Sequence, residues 1–194
     1  MKRLATVAAI AALTATPALA HTGVGGTSGL VAGFVHPLMG VDHLLAMVTV
    51  GLWSGFALPR HVWAGAASFL AAMAAGAALA WGGVALPFVE GGITLSVIAF
   101  GLMTVFARPG QGVPASAATL ATIAGFAIFH GHAHASEATG AALAYLAGFL
   151  AATAALHLAG IGLARAVADG RLTALLQRGI GGGVAVAGMA LMLG

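Results

Sequence analysis

The sequence predicts an all-α integral membrane protein, a bundle of six transmembrane helices behind a cleaved N-terminal signal peptide, and three observations lead there. The 194 residues are 61% hydrophobic and only 6% charged, with a mean hydropathy of +1.07. Seven Lys and Arg with four Asp and Glu cannot clothe a water-facing domain of this length. Apolar runs near the roughly 20 residues that a membrane helix needs recur between short interruptions. The arginines fall into alternate interruptions.

Taken in order, residues 1–20, MKRLATVAAIAALTATPALA, place Lys2 and Arg3 ahead of a short apolar stretch that closes on Ala18-Leu19-Ala20. This is the layout of a secretory signal peptide, with His21 as the mature N-terminus. Residues 21–194 are then expected to form one six-helix transmembrane transport domain. Its spans are expected at Leu30 to Leu58, Val62 to Trp81, Gly91 to Ala107, Ala115 to Gly131, Ala138 to Gly160 and Leu172 to Leu193. Pro59-Arg60-His61, Gly82 to Pro87, Arg108-Pro109-Gly110, the His130 to Glu137 cluster and Arg165 to Arg171 separate them.

With the mature N-terminus outside, Arg60, Arg108, Arg165 and Arg171 fall in cytoplasmic loops and Arg178 just inside the last helix. Glu90 and Glu137 fall on the other side. The positive-inside rule therefore predicts a multi-pass protein of the bacterial inner membrane with both mature termini in the periplasm.

Other classes are disfavoured by the same residues. Scattered basic groups form no nucleic-acid patch. Gly181-Gly182-Gly183 lacks a Lys-Ser/Thr continuation, so no ATPase is expected in this chain. Without cysteine, His, Met and carboxylates are the metal-binding side chains.

Two polar clusters interrupt the apolar runs. In HPLMGVDH, residues 36–43, His36 and His43 are seven apart and share a face of a continuous helix, with Met47 one turn beyond His43 and Asp42 beside it. An aspartate near mid-membrane costs roughly 2.5–3.5 kcal/mol on insertion scales and needs a partner. Pro37 is the expected place for a kink. In FHGHAHASE, residues 129–137, His130, His134 and Glu137 line one face if the helix continues, whereas His132 points elsewhere. The H-x3-H spacing lets two imidazoles reach one ion, with a carboxylate one turn on as third ligand or orienting group.

Alternating span directions place both clusters toward the outside, as an outward-facing funnel. Its candidate metal ligands are His36, Asp42, His43, His130, His134 and Glu137, with His132, His21 and Met47 as additional candidates. His157 and His61 are expected to form hydrogen bonds between helices.

The pattern His36-Pro37-x-x-Gly40-x-Asp42-His43-x-x-Ala46-Met47 resembles the first-helix signature of the HupE/UreJ family of nickel permeases. Phe129-His130-Gly131-x-Ala133-His134-x-x-Glu137 resembles its fourth-helix signature, with Ala135 where the family usually has Gly. The resemblance implies uptake of Ni²⁺, and in some members Co²⁺, as transported substrate with no prosthetic group. The expected partners are the ion, the bilayer and further copies of the chain in a homo-oligomer. On the residues alone, the donors suit Ni, Co, Zn or Cu(II), and an intramembrane zinc-dependent hydrolase using the same His/Asp cluster is the alternative.

Overall fold

The computed structural model describes residues 29–138, 140–168, 170 and 172–194; the expected signal peptide and His21 lie outside them. The described residues form helices α1 (Gly29–Met39), α2 (Val41–Ala57), α3 (Trp63–Trp81), α4 (Val89–Phe106), α5 (Val113–Ser136), α6 (Ala142–Ala168) and α7 (Thr173–Leu193), without a strand among them. Helices α3 to α7 are each long and apolar enough to cross a membrane. The pair α1 and α2 meets the same test jointly, as a broken span or re-entrant loop bent by 84°.

That bend corrects the expectation of one continuous first helix. Helix α1 passes through Pro37 and stops at Met39; the chain breaks at Gly40, whose backbone is extended at φ −93° and ψ 121°. A side chain at Gly40 would collide with the first turn of α2, since a Cβ there would lie 2.9 Å from both Asp42 Oδ1 and His43 Nδ1. The helix gives way at the one residue that lets the Asp42–His43 pair fold back on the backbone.

The fourth apolar run also differs from expectation. Instead of ending near Gly131, α5 continues to Ser136 and takes HGHAH into the helix. The Trp81 indole N–H donates to the Ala135 carbonyl at 3.2 Å and ties this last turn to the end of α3. The next helix begins at Ala142, after Gly140 turns the chain at φ 72°.

Three pairings build the bundle: α3 against α5, α4 against α7, and α6 against both halves of the bent pair. The pairings are close because glycines face backbone. A Cβ on Gly51 would strike the His157 carbonyl, and one on Gly160 the Val48 carbonyl. In lipid, where apolar burial gives no drive for association, such backbone approach supplies the van der Waals contact.

The two ends differ chemically. Gln177 donates to the Thr104 and Ala107 carbonyls at 2.9 and 2.8 Å, and Gly110 N–H to the Ala57 carbonyl at 3.1 Å. These bonds gather the ends of α2 and α4 and the start of α7, where Arg60, Arg108 and Arg178 stand. Trp81, Ala135 and Glu137 mark the opposite end.

Gly51→Leu is expected to lower thermal stability in detergent by about 3 kcal/mol or more, since added volume meets backbone that cannot yield. Gly125→Leu, with open space around the glycine, is expected to leave the melting curve where it was.

Candidate metal centre

The break at Gly40 decides where the first cluster's side chains go. Had the helix continued, His43 would lie about 10 Å further along the axis than His36. Instead the rings stand 6.5 Å apart, centroid to centroid, and α5 brings His130 and His134 to them. His134 lies 4.7 Å from His36 and 4.3 Å from His43, and His130 lies 4.9 Å from His43.

The donors fall into two overlapping groups. His43, His130 and His134 present ligand atoms all within 4.8 Å of one another, as do His36, His134 and Glu137. These are separations that small ring rotations close onto a single ion. His134 belongs to both. The expected division, with one group per helix, is thus replaced by groups that each mix the bent pair with α5. They also differ in depth: His36 and Glu137 are partly open, whereas His130 and His134 are buried.

Hydrogen bonds decide which nitrogen each ring offers. Asp42 Oδ1 accepts from the His43 backbone N–H and from His43 Nδ1, both at 2.8 Å. That bond fixes His43 Nε2 as the lone-pair nitrogen, and it has no hydrogen-bond partner among the described residues. Asp42 therefore stands behind His43, orienting it. At His130, the Ser96 hydroxyl donates to the Ile93 carbonyl at 2.6 Å and so accepts from His130 Nε2–H at 3.0 Å. The lone pair then sits on His130 Nδ1, which is also buried without a partner among the described residues. His134 Nε2 is in the same condition, whereas His134 Nδ1 faces the Glu137 carboxylate.

Glu137 closes the more exposed side, just past the end of α5. Its carboxylate lies 3.1 Å from His36 Nε2 and 3.8 Å from His134 Nδ1. The imidazoles of His134 and His36 hold this carboxyl well below the usual carboxylate range.

His132, His61 and His157 belong to neither group. His132, about 200° round the helix from His130, meets the Val84 carbonyl through Nε2 at 2.7 Å. Met47 is fully buried in the hydrophobic core. His61 is exposed after α2. His157 does not bridge helices as expected but donates from Nδ1 to Thr153 of its own helix at 2.7 Å.

Sequence reasoning did not find Ser96, nor the aromatic backing of the cluster. Phe149 lies 4.0 Å from His134, and Tyr145 lies 6.0 Å from His36. Their four-residue spacing on α6 is the one sequence signal they carry, and it is indistinguishable from ordinary core periodicity.

Set beside known proteins, residues 8–191 match the family described as HupE / UreJ protein. Over 187 residues the chain is 42% identical to Protein HupE of Rhizobium leguminosarum bv. viciae, covering 93% of this chain and 93% of that one. No solved structure matches.

Asp42→Asn, which weakens the charge-assisted bond to His43, is expected to reduce divalent-metal affinity about 10–100-fold in calorimetric titration of the purified protein, with His132→Ala unchanged. Metal binding should also weaken on acidification, as protons compete for the imidazoles. Glu137→Gln is expected to lower affinity at neutral pH, because a neutral amide replaces the carboxylate of the His36–His134–Glu137 group. Titrations from acid to neutral pH check the sign.

Proposed function

The chain belongs to the HupE/UreJ family, and from that premise we propose that it is a permease of the bacterial inner membrane that takes up a divalent transition metal, nickel foremost and cobalt second. In this reading the protein is not an enzyme. Six spans follow a cleaved signal peptide, the bent pair counts as the first, and both mature termini face the periplasm. The observation that carries the reading is the pair of three-donor groups that share His134. A static binding site needs one complete group, whereas two groups with a common ligand provide for a handover.

The steps follow from burial. A hydrated ion meets Glu137 and His36 first, since these are the most exposed donors, at 31% and 21% against 12% for His43. Their mutual contact opens, and the carboxylate supplies the charge that draws a cation out of water. His134 joins them. The ion then exchanges His36 and Glu137 for His43 and His130 while His134 stays bound, so it is never without a protein ligand as its water is stripped. Asp42 keeps the His43 lone pair aimed at the ion through this exchange.

The donor chemistry supports a borderline divalent ion, since imidazole with carboxylate suits Ni²⁺ and Co²⁺. Selection against Zn²⁺ and Cu²⁺ then rests on the geometry of the paired groups, because raw affinity follows the Irving–Williams order. Binding shared between two sites is also loose enough at each for release.

The test is uptake of radioactive nickel into proteoliposomes. The wild type is expected to transport with competition by cobalt, and His36→Ala combined with His130→Ala to abolish flux, since it removes a donor from each group. A wild type without flux that holds one zinc ion tightly would overturn the permease and leave the zinc hydrolase.

A further inference from the structure

We propose that His157 is a third metal station, a transit ligand inward of the two donor groups that takes the ion from His43 and His130 on its way to the arginine-bearing end of the bundle. The proposal rests on the permease reading and extends it along a route that the two sequence clusters do not reach.

The first observation is a stripe on α6. Tyr145, Phe149, Thr153 and His157 recur at four-residue spacing, so they lie on one helix face, and all four are buried. The stripe begins at the donor groups, where Tyr145 lies 6.0 Å and Phe149 6.4 Å from His36. It ends at His157, eight residues past Phe149 and so about 12 Å further along the helix. A line drawn inward from the donors along α6 meets His157.

The second observation is the state of the ring. His157 Nδ1 donates to the Thr153 carbonyl, which leaves the lone pair on Nε2, the tautomer that binds metal. Nε2 is buried and has no hydrogen-bond partner among the described residues. A side chain kept only to bridge helices would use that nitrogen, because leaving a buried polar group unpaired is unfavourable.

The third observation is what lies between the stations. The Phe69 ring sits 5.4 Å from His130 and 5.1 Å from His157, so one aromatic side chain touches the last ligand of the inner group and the next ligand beyond. Beside His157 the lining changes character: Thr153, one turn earlier on the same face, has a buried hydroxyl that also lacks a partner among the described residues. Hydroxyl and imidazole are weaker company for a cation than three imidazoles. That suits a station that must let go.

A structural role and a ligand role separate at one substitution. Asparagine can place its amide nitrogen where Nδ1 stands and keep the bond to Thr153, while offering nothing at Nε2. In proteoliposomes, His157→Asn is expected to retain equilibrium nickel binding at the outer groups and the wild-type melting temperature, yet to lose flux about tenfold or more. Wild-type flux in this variant overturns the proposal. The chain has no cysteine, so His157→Cys gives a second readout independent of flux. Loading this variant with Co²⁺ is expected to produce a thiolate-to-cobalt charge-transfer band that the wild type cannot show. A variant that binds cobalt at the outer groups without the band would equally overturn the assignment. If the wild type itself carries no nickel, the permease reading fails first and takes this proposal with it.

Discussion

The donor architecture depends on one pair of hydrogen bonds, those that Asp42 Oδ1 accepts from the backbone and the ring of His43. A carboxylate in an apolar bundle has to be satisfied locally. It does so by reaching back to the first turn of α2, where helix N–H groups still lack intrahelical partners. That turn exists because the chain breaks at Gly40. Break, carboxylate and imidazole thus support one another: Gly40 leaves room for the pair, the pair stabilises the start of α2, and the 84° bend swings His36 back over His43. A helix through this segment would bury the same residues and lose the site.

Bringing a third helix to the same place requires backbone contact, and glycine provides it. A Cβ at Gly131 would meet the Met73 carbonyl, and one at Gly148 the Leu30 carbonyl. Each of these glycines neighbours the site in sequence or in space: Gly131 follows His130, and Gly148 precedes Phe149. Ala would hold the helices further apart, and imidazoles on opposing helices would no longer reach a common point. Much of the glycine content that reads as packing in the sequence is therefore also what sets the ligand distances.

The donor residues themselves were legible, because polar side chains inside apolar runs have few explanations and their spacing is a sequence property. The apolar runs were legible for the same reason, whereas Arg165, expected in a loop, lies within α6. The grouping was not legible. His36 and His43 share a face only in a helix that does not form, and the chain carries a more conspicuous breaker in Pro37. Pro37 sits near the end of α1, where losing one backbone donor does not stop the helix, whereas Gly40 is needed for the space it leaves. The extent of α5 was hidden by Gly131, which in a soluble helix would signal an end but here faces a neighbouring backbone. Ser96 carried no signal, since a serine in a membrane helix usually bonds back to its own turn. Ser96 does so as well, at Ile93, and only the fold reveals the second bond to His130.

Charge gives the donor groups an order that burial alone does not. A divalent ion in a low-dielectric bundle is strongly unfavourable unless anionic groups stay close. The outer group holds Glu137 directly. The inner group has Asp42 one imidazole away, so its negative charge reaches the ion through the polarised ring of His43. Beyond lies His157, backed by a carbonyl of Thr153 rather than by a carboxylate. Compensation therefore decreases along the line from Glu137 through His43 to His157, from direct to relayed to dipolar. In the proposed permease, capture needs the strongest field where the ion still carries its water, and release needs the weakest where it regains it. The same series of partners serves both ends, which is why a carboxylate placed next to His157 would trap the ion rather than speed it.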